Sequence, residues 1–191
     1  MIKNIFFIIF SLILASCAKN AEFKFNGSDI SNANLNSSFE LLSHTGEIKK
    51  ITDFKGSVVA IFFGFTHCPD ICPTSMQELK FIKESLGKQS DKLQVIFITL
   101  DPERDNQSLL NSYVPSFDKS FIGLTGSQED INRIASQYKI FHMKVGEGDS
   151  YTIDHSSGIY IIDKDGKIRV RHPYGSKVES IIEDIQHLIS I

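Results

Sequence analysis

Beyond the first residues, two stretches of the chain are apolar at nearly every position. Residues 58–63 read Val-Val-Ala-Ile-Phe-Phe, and residues 93–100 run from Leu93 to Leu100 with few polar interruptions. Such runs suit strands of a sheet covered on both sides. Between them, Met76, Leu79, Ile82 and Leu86 recur at helical spacing up to Gly87, and Pro73 suits a first helical position. Ser75 and Glu78 have capping-box spacing and point to a start slightly later. A short helix follows over 106–114, a brief strand over 121–124, and a helix over 127–138 with Ile131, Ile134, Ala135 and Tyr138 on one face. Residues 158–162 and 168–171 flank Asp165-Gly166 and read as a hairpin. Residues 178–189 close the chain as an amphipathic helix. Ahead of the first apolar run, residues 39–51 read as another hairpin, with Gly46 in its turn.

Strands alternating with helices predict an α/β fold with helices on both faces of a mixed sheet. The order matches a thioredoxin-like architecture with an N-terminal β-hairpin extension. Residues 140–155 form an insertion before the penultimate hairpin, and residues 139–151, with Gly146 and Gly148, are expected to act as a mobile flap.

The first residues have a different character. Lys3 precedes an apolar run over 5–14 that is too short to span a membrane, followed by Leu14-Ala15-Ser16-Cys17. This reads as a secretory signal, and its end resembles a bacterial lipoprotein cleavage box. Residues 1–16 are then the signal peptide, Cys17 the lipidated residue, and 17–38 a flexible, lipid-anchored linker rich in Asn and Ser. The domain occupies 39–191. It is exported and faces the periplasm. Ala18 leaves the outer membrane open, whereas the function implied below favours the inner one.

The 191 residues are 41% apolar and 23% charged, with a formal net charge of −3. That is ordinary globular composition, and it gives no basic field for nucleic acid. Three cysteines are too few for a disulfide-stapled scaffold, and lipidation removes Cys17 from redox chemistry. Cys68 and Cys72 remain, in a loop where the first buried strand meets its helix. A helix N-terminus favours thiolate, and two thiolates suit Cu(I) or Zn(II). The pair alone supports a redox and a metal reading about equally.

Three residues separate Cys68 from Cys72, one more than in thioredoxin-type exchangers. No proline lies between Pro115 and Pro173, although a thioredoxin-type exchanger places one near the start of the 158–162 strand. That position carries His155. A lone histidine in such a loop is ordinarily just polar, but here it is a candidate third donor. His44 is expected in a solvated turn, and His172 and His187 on the surface. His67 and His142 are weaker candidates for that donor than His155, and His67 reads more as a local electrostatic group. Met76 reads as core and Met143 as loop. The 101–105 segment, Asp-Pro-Glu-Arg-Asp, reads as a turn with an Arg104 ion pair. A peroxidase of the peroxiredoxin kind needs Thr-x-x-Cys, but only one residue, His67, separates Thr66 from Cys68.

The segment Gly64-Phe65-Thr66-His67-Cys68-Pro69-Asp70-Ile71-Cys72-Pro73 closely resembles the signature of the Sco/SenC family. Thr99 to Asp105 and Asp154-His155-Ser156 resemble its second and third motifs. The resemblance covers roughly residues 39–189. It implies a membrane-tethered copper protein that binds one Cu(I) or Cu(II) through Cys68, Cys72 and His155. Asp70 and Asp154 are then candidates to tune or orient those ligands. The implied role is assembly of the dinuclear copper centre of cytochrome c oxidase. The implied partners are that enzyme's copper-bearing subunit, or another copper enzyme, and a copper donor protein. The alternative is a thiol–disulfide oxidoreductase that keeps the target's cysteines reduced. Family members usually carry a transmembrane anchor, so the lipobox here is a departure.

Overall fold

The computed structural model describes residues 23–191; the signal, Cys17 and Ala18 lie outside them. In chain order the strands are β1 (Ser28–Asp29), β2 (Glu40–Ser43), β3 (Ile48–Lys50), β4 (Val58–Gly64) and β5 (Leu93–Thr99). They continue as β6 (Ile122–Thr125), β7 (His142–Val145), β8 (Thr152–His155), β9 (Gly158–Ile162) and β10 (Ile168–Pro173). The α-helices are α1 (Ile71–Ser85), α2 (Gln107–Tyr113), α3 (Gln128–Gln137) and α4 (Val178–Ser190).

Strand β4 is buried along its whole length, as its two apolar faces require. It pairs in parallel with β5 and antiparallel with β9. The full order is β1-β10-β9-β4-β5-β6-β2-β3, with β7 and β8 forming a separate two-stranded sheet. This is the thioredoxin-like mixed sheet, with the N-terminal hairpin added beyond β6.

The two faces of β4 carry different layers. Phe62 lies 6.3 Å from Phe97 of β5, and Phe97 lies 5.7 Å from Tyr113 at the end of α2. On the other face, Phe63 packs against Tyr138, just beyond α3, and against Tyr160 of β9. The Tyr160 hydroxyl donates to the Tyr138 carbonyl at 2.8 Å. Helices α1 and α4 pack together. Met76 is fully buried in the core.

Helix α1 begins at Ile71, two residues before Pro73 and well before the position the Ser75–Glu78 spacing suggests. Pro73 is tolerated there because the first four N–H groups of a helix have no intrahelical acceptor. Ser75 is buried within the helix instead of capping it. Helices α2 and α3 carry side-chain caps, with Asn106 accepting from the Leu109 N–H and Ser127 from the Asp130 N–H.

Three expectations need correction. Residues 25–31 are not a loose linker. Phe25 is buried, β1 pairs with β10, and the Asn26 and Gly27 N–H groups donate to the Asp184 carboxylate at 2.9–3.1 Å. A buried carboxylate on α4 needs donors, and the chain before the hairpin supplies them. His172 is not at the surface: it is buried, with Nε2 2.9 Å from Asp184 Oδ2. His44 is not solvated: its Nδ1 accepts the Gly123 N–H at 3.0 Å and ties the edge hairpin to β6. His187 is half-buried and stacks on Phe23 at 3.7 Å.

Burial lowers the pKa of both His44 and His172, with Asp184 opposing the shift at His172. The unfolded chain therefore binds protons before the folded one as pH falls. The stability these residues contribute is complete above about pH 6.5 and is lost as pH drops toward their folded values. Urea midpoints should accordingly fall between about pH 7 and about pH 5. The fall should be shallower in His44→Gln. Identical pH profiles for the two proteins would contradict this assignment.

Candidate metal centre

Strand β4 hands the chain to the cysteine loop at Gly64. A Cβ on this residue would lie 2.9 Å from Cys72 Sγ and 3.1 Å from the Phe97 ring. Glycine is required here because the sulfur packs directly against the strand backbone. Cys72 is the second residue of α1 and fully buried, while Cys68 in the preceding loop is partly exposed. Both are free thiols. The Cys72 N–H, one of the unpaired donors of the helix start, points at Cys68 Sγ at 3.4 Å. That contact turns the Cys68 sulfur toward the positive end of the helix. Burial pushes the Cys72 thiol pKa far up, with hydrogen bonding at the Phe65 backbone opposing it. Cys72 therefore keeps its proton until an electrophile displaces it.

The cysteine loop is held from behind by Asp105. This buried carboxylate accepts the Thr66 N–H at 2.9 Å, the Thr66 hydroxyl at 2.5 Å and the Thr99 hydroxyl at 2.6 Å. Burial raises its pKa, and these hydrogen bonds oppose the rise. The exposed ring of His67 shares the edge of the network, with Nδ1 3.1 Å from the Thr66 hydroxyl oxygen.

The other end of the same segment grips the β7–β8 hairpin. Asp101 pairs with Arg104, as expected, and also accepts the Tyr151 hydroxyl at 2.7 Å. The Tyr151 ring lies between the Arg104 guanidinium at 3.6 Å and the Lys144 ammonium at 3.7 Å. Arg104 donates to the Tyr151 carbonyl at 2.9 Å, and Lys144 pairs with Glu103 at 2.9 Å. The segment expected as a mobile flap is thus a hairpin clamped to the Asp101–Asp105 loop. Sequence reasoning missed Thr66, Asp105 and Tyr151 as parts of one bracket. The signal available was two carboxylates four residues apart around Arg104.

His155 ends β8, four residues after the clamp. Its ring meets Phe65 edge-on at 6.0 Å. Nδ1 is 3.1 Å from the Ser156 carbonyl oxygen. A carbonyl only accepts, so Nδ1 carries the proton and Nε2 is left as a donor atom for a metal. Burial lowers the His155 pKa and keeps the ring neutral, which is the ligand form. A cavity of about 290 Å³ is lined by Cys68, Asp70, Asp154 and His155, together with Phe65 and Pro69. The structure therefore gathers Cys68, His155 and both candidate tuning carboxylates around one space, with Cys72 behind Cys68. His142 is the cross-strand neighbour of His155. It instead bonds Asn132 at 3.0 Å and lines a second cavity with Met143 and Lys144. Among the described residues, no three His, Cys, Asp or Glu side chains stand close enough to hold a metal ion as they are. Two sulfurs and one neutral imidazole nitrogen are nonetheless a soft to borderline donor set.

The family profile described as SCO1/SenC matches residues 27–190. A SCO2-like protein of Rickettsia felis is 39% identical over 155 residues, covering 80% of this chain and 76% of that protein. A crystal structure of Arabidopsis thaliana ScoI with copper bound aligns at a TM-score of 0.75 with 32% identity, covering 80% of this chain and 96% of that one. Bradyrhizobium japonicum ScoI with copper bound aligns at 0.72 with 36% identity, covering 79% and 97%.

The clamp gives a direct expectation. Tyr151→Phe keeps the ring between its two cations but removes a donor from buried Asp101. It should cost about 1–3 kcal/mol in urea unfolding. Amide exchange should quicken in β7 and β8 before it changes in β4. Unchanged exchange in that hairpin would contradict the clamp.

Proposed function

Because the chain belongs to the SCO1/SenC family, we propose that it is a copper chaperone that carries one Cu(I) or Cu(II) on Cys68, Cys72 and His155. In this reading it assists assembly of the dinuclear copper centre of cytochrome c oxidase. The observation that carries the assignment is the single cavity shared by Cys68 and His155, with Cys72 against the helix start behind it.

Each residue has a distinct role toward the cargo. Cys68 is the accessible sulfur and makes the first contact. Cys72 would give up its proton on binding and supply the second sulfur from the buried side, out of reach of water. His155 presents Nε2 from the hairpin and completes the set as its ring closes on the sulfurs. An imidazole beside two thiolates holds Cu(II) as well as Cu(I), whereas two sulfurs alone favour Cu(I). Asp70 and Asp154 on the cavity wall set the local charge. A thiol–disulfide exchange role is the weaker reading, because burial keeps Cys72 protonated.

The partners in this reading are a copper donor protein and the copper-bearing subunit of the oxidase or of another copper enzyme. The chain is exported and held by a lipid on Cys17 at a membrane facing the periplasm. From Cys17 to the buried Phe25 the chain spans at most about 30 Å fully extended. The domain therefore works close to the bilayer, as delivery to a membrane-bound oxidase requires. The oxidase favours the inner membrane, and Ala18 leaves the outer one open.

The test is copper titration of the reduced protein. The wild type should bind about one copper per chain. His155→Ala should weaken Cu(II) binding at least about tenfold, and His142→Ala much less. Equal losses would overturn the ligand set, and a wild type that binds no copper would overturn the function.

A further inference from the structure

His155 offers Nε2 to a metal only while its Nδ1–H is held, and the group that holds it is the Ser156 carbonyl at 3.1 Å. That carbonyl has to keep its direction, and packing does little to keep it. The chain after His155 runs between two cavities. His155 and Ser157 line the one already described. Ser156 lines another of about 330 Å³ on the far side, together with Tyr138, Tyr160 and Arg171.

Hydrogen bonds hold the segment instead. On one side, the Ser156 N–H donates to the Phe141 carbonyl at 2.9 Å, and the Ser156 hydroxyl oxygen accepts the Phe141 N–H at 3.2 Å. On the other side, Arg171 of β10 donates to the Ser157 carbonyl at 2.9 Å. These contacts bracket the Ser156–Ser157 peptide, whose oxygen meets the imidazole. A planar peptide anchored through both neighbours cannot swing its carbonyl away alone. Gly158 brings the guanidinium within reach: a Cβ there would stand 2.7 Å from the His172 carbonyl oxygen and 3.2 Å from an Arg171 nitrogen. The chain therefore lies directly against β10. Arg104, Arg133 and Arg169 each pair with a carboxylate. Arg171, 5.8 Å from the centre of the Tyr160 ring, gives its hydrogen bond to this loop carbonyl.

We propose that Arg171 is a positioning residue for the copper site: its bond to the Ser157 carbonyl fixes the Ser156 carbonyl, which in turn fixes the His155 tautomer and leaves Nε2 free for the metal. A metal-binding histidine is ordinarily oriented by the partner of its other ring nitrogen, and Arg171 acts one residue behind that partner. It touches neither the metal nor the imidazole. The inference rests on His155 being a copper ligand.

Arg171→Met in the full chain tests it, because the substitution keeps an apolar stem near Tyr160 and removes the donor. The first readout needs no copper. Nitrogen NMR of the His155 ring at about pH 8, where an ordinary imidazole is neutral, should show the proton on Nδ1 in the wild type and shared between Nδ1 and Nε2 in the variant. The second readout is affinity. Cu(II) binding should weaken about tenfold, whereas Cu(I), which two thiolates favour without an imidazole, should bind unchanged. Arg169→Met removes an arginine of the same strand that bonds Ser31 and Asp163 instead, and it should alter neither readout. A wild-type proton on Nε2, an unmoved tautomer in the variant, an unchanged Cu(II) affinity, or equal losses for Cu(II) and Cu(I) would each overturn this inference alone. So would the same changes in Arg169→Met. Cu(II) binding that survives His155→Ala unchanged overturns the ligand set and this inference with it.

Discussion

The arrangement depends on a carboxylate with no access to water. Asp105 is fully buried, and a buried carboxylate is tolerable only where donors surround it. The three donors come from the cysteine loop and from the end of β5, so satisfying the charge fixes the loop that carries Cys68. The same five-residue segment meets a second buried carboxylate, Asp101, whose partners are Arg104 and Tyr151. One short loop therefore grips the dithiol with one end and the histidine-bearing hairpin with the other. The spacing between sulfur and imidazole is set by electrostatic satisfaction at two buried charges, not by direct contact between the ligands.

The apolar layer around Cys72 does a different job. Packed against Gly64 and Phe97, this sulfur is inert toward solvent and holds its proton. Cys68 faces the cavity and takes the helix-start N–H. Two chemically identical residues four positions apart thus differ in access to solvent and in their surroundings. A carrier benefits from that difference, because cargo can enter and leave through the exposed sulfur while the buried one retains it.

Much of this was legible in the sequence where the signal is local or carried by a motif. The strands at the centre of the sheet are apolar on both faces, and the helices keep their spacing. Cys68, Cys72 and His155 stand in segments that resemble known motifs. The illegible parts are contacts between distant polar residues. Asp184 captures Asn26 and Gly27 from the far end of the chain, and nothing near Phe25 announces it. His44 and His172 look like turn and loop histidines because their partners, Gly123 and Asp184, come from other elements. Asp105 and Tyr151 look like a turn carboxylate and an insertion aromatic until the fold joins them. Polar burial of this kind depends on tertiary partners, which hydrophobic periodicity does not encode.

The central claim is that the two thiols and the hairpin imidazole meet on one copper ion. X-ray absorption at the copper edge of the loaded protein, compared between wild type and His155→Ala, tests this most directly. The account predicts two sulfur ligands in both proteins and an imidazole nitrogen that is present in the wild type and lost in the variant. An imidazole signal that persists unchanged in His155→Ala, or fewer than two sulfurs in the wild type, would contradict it.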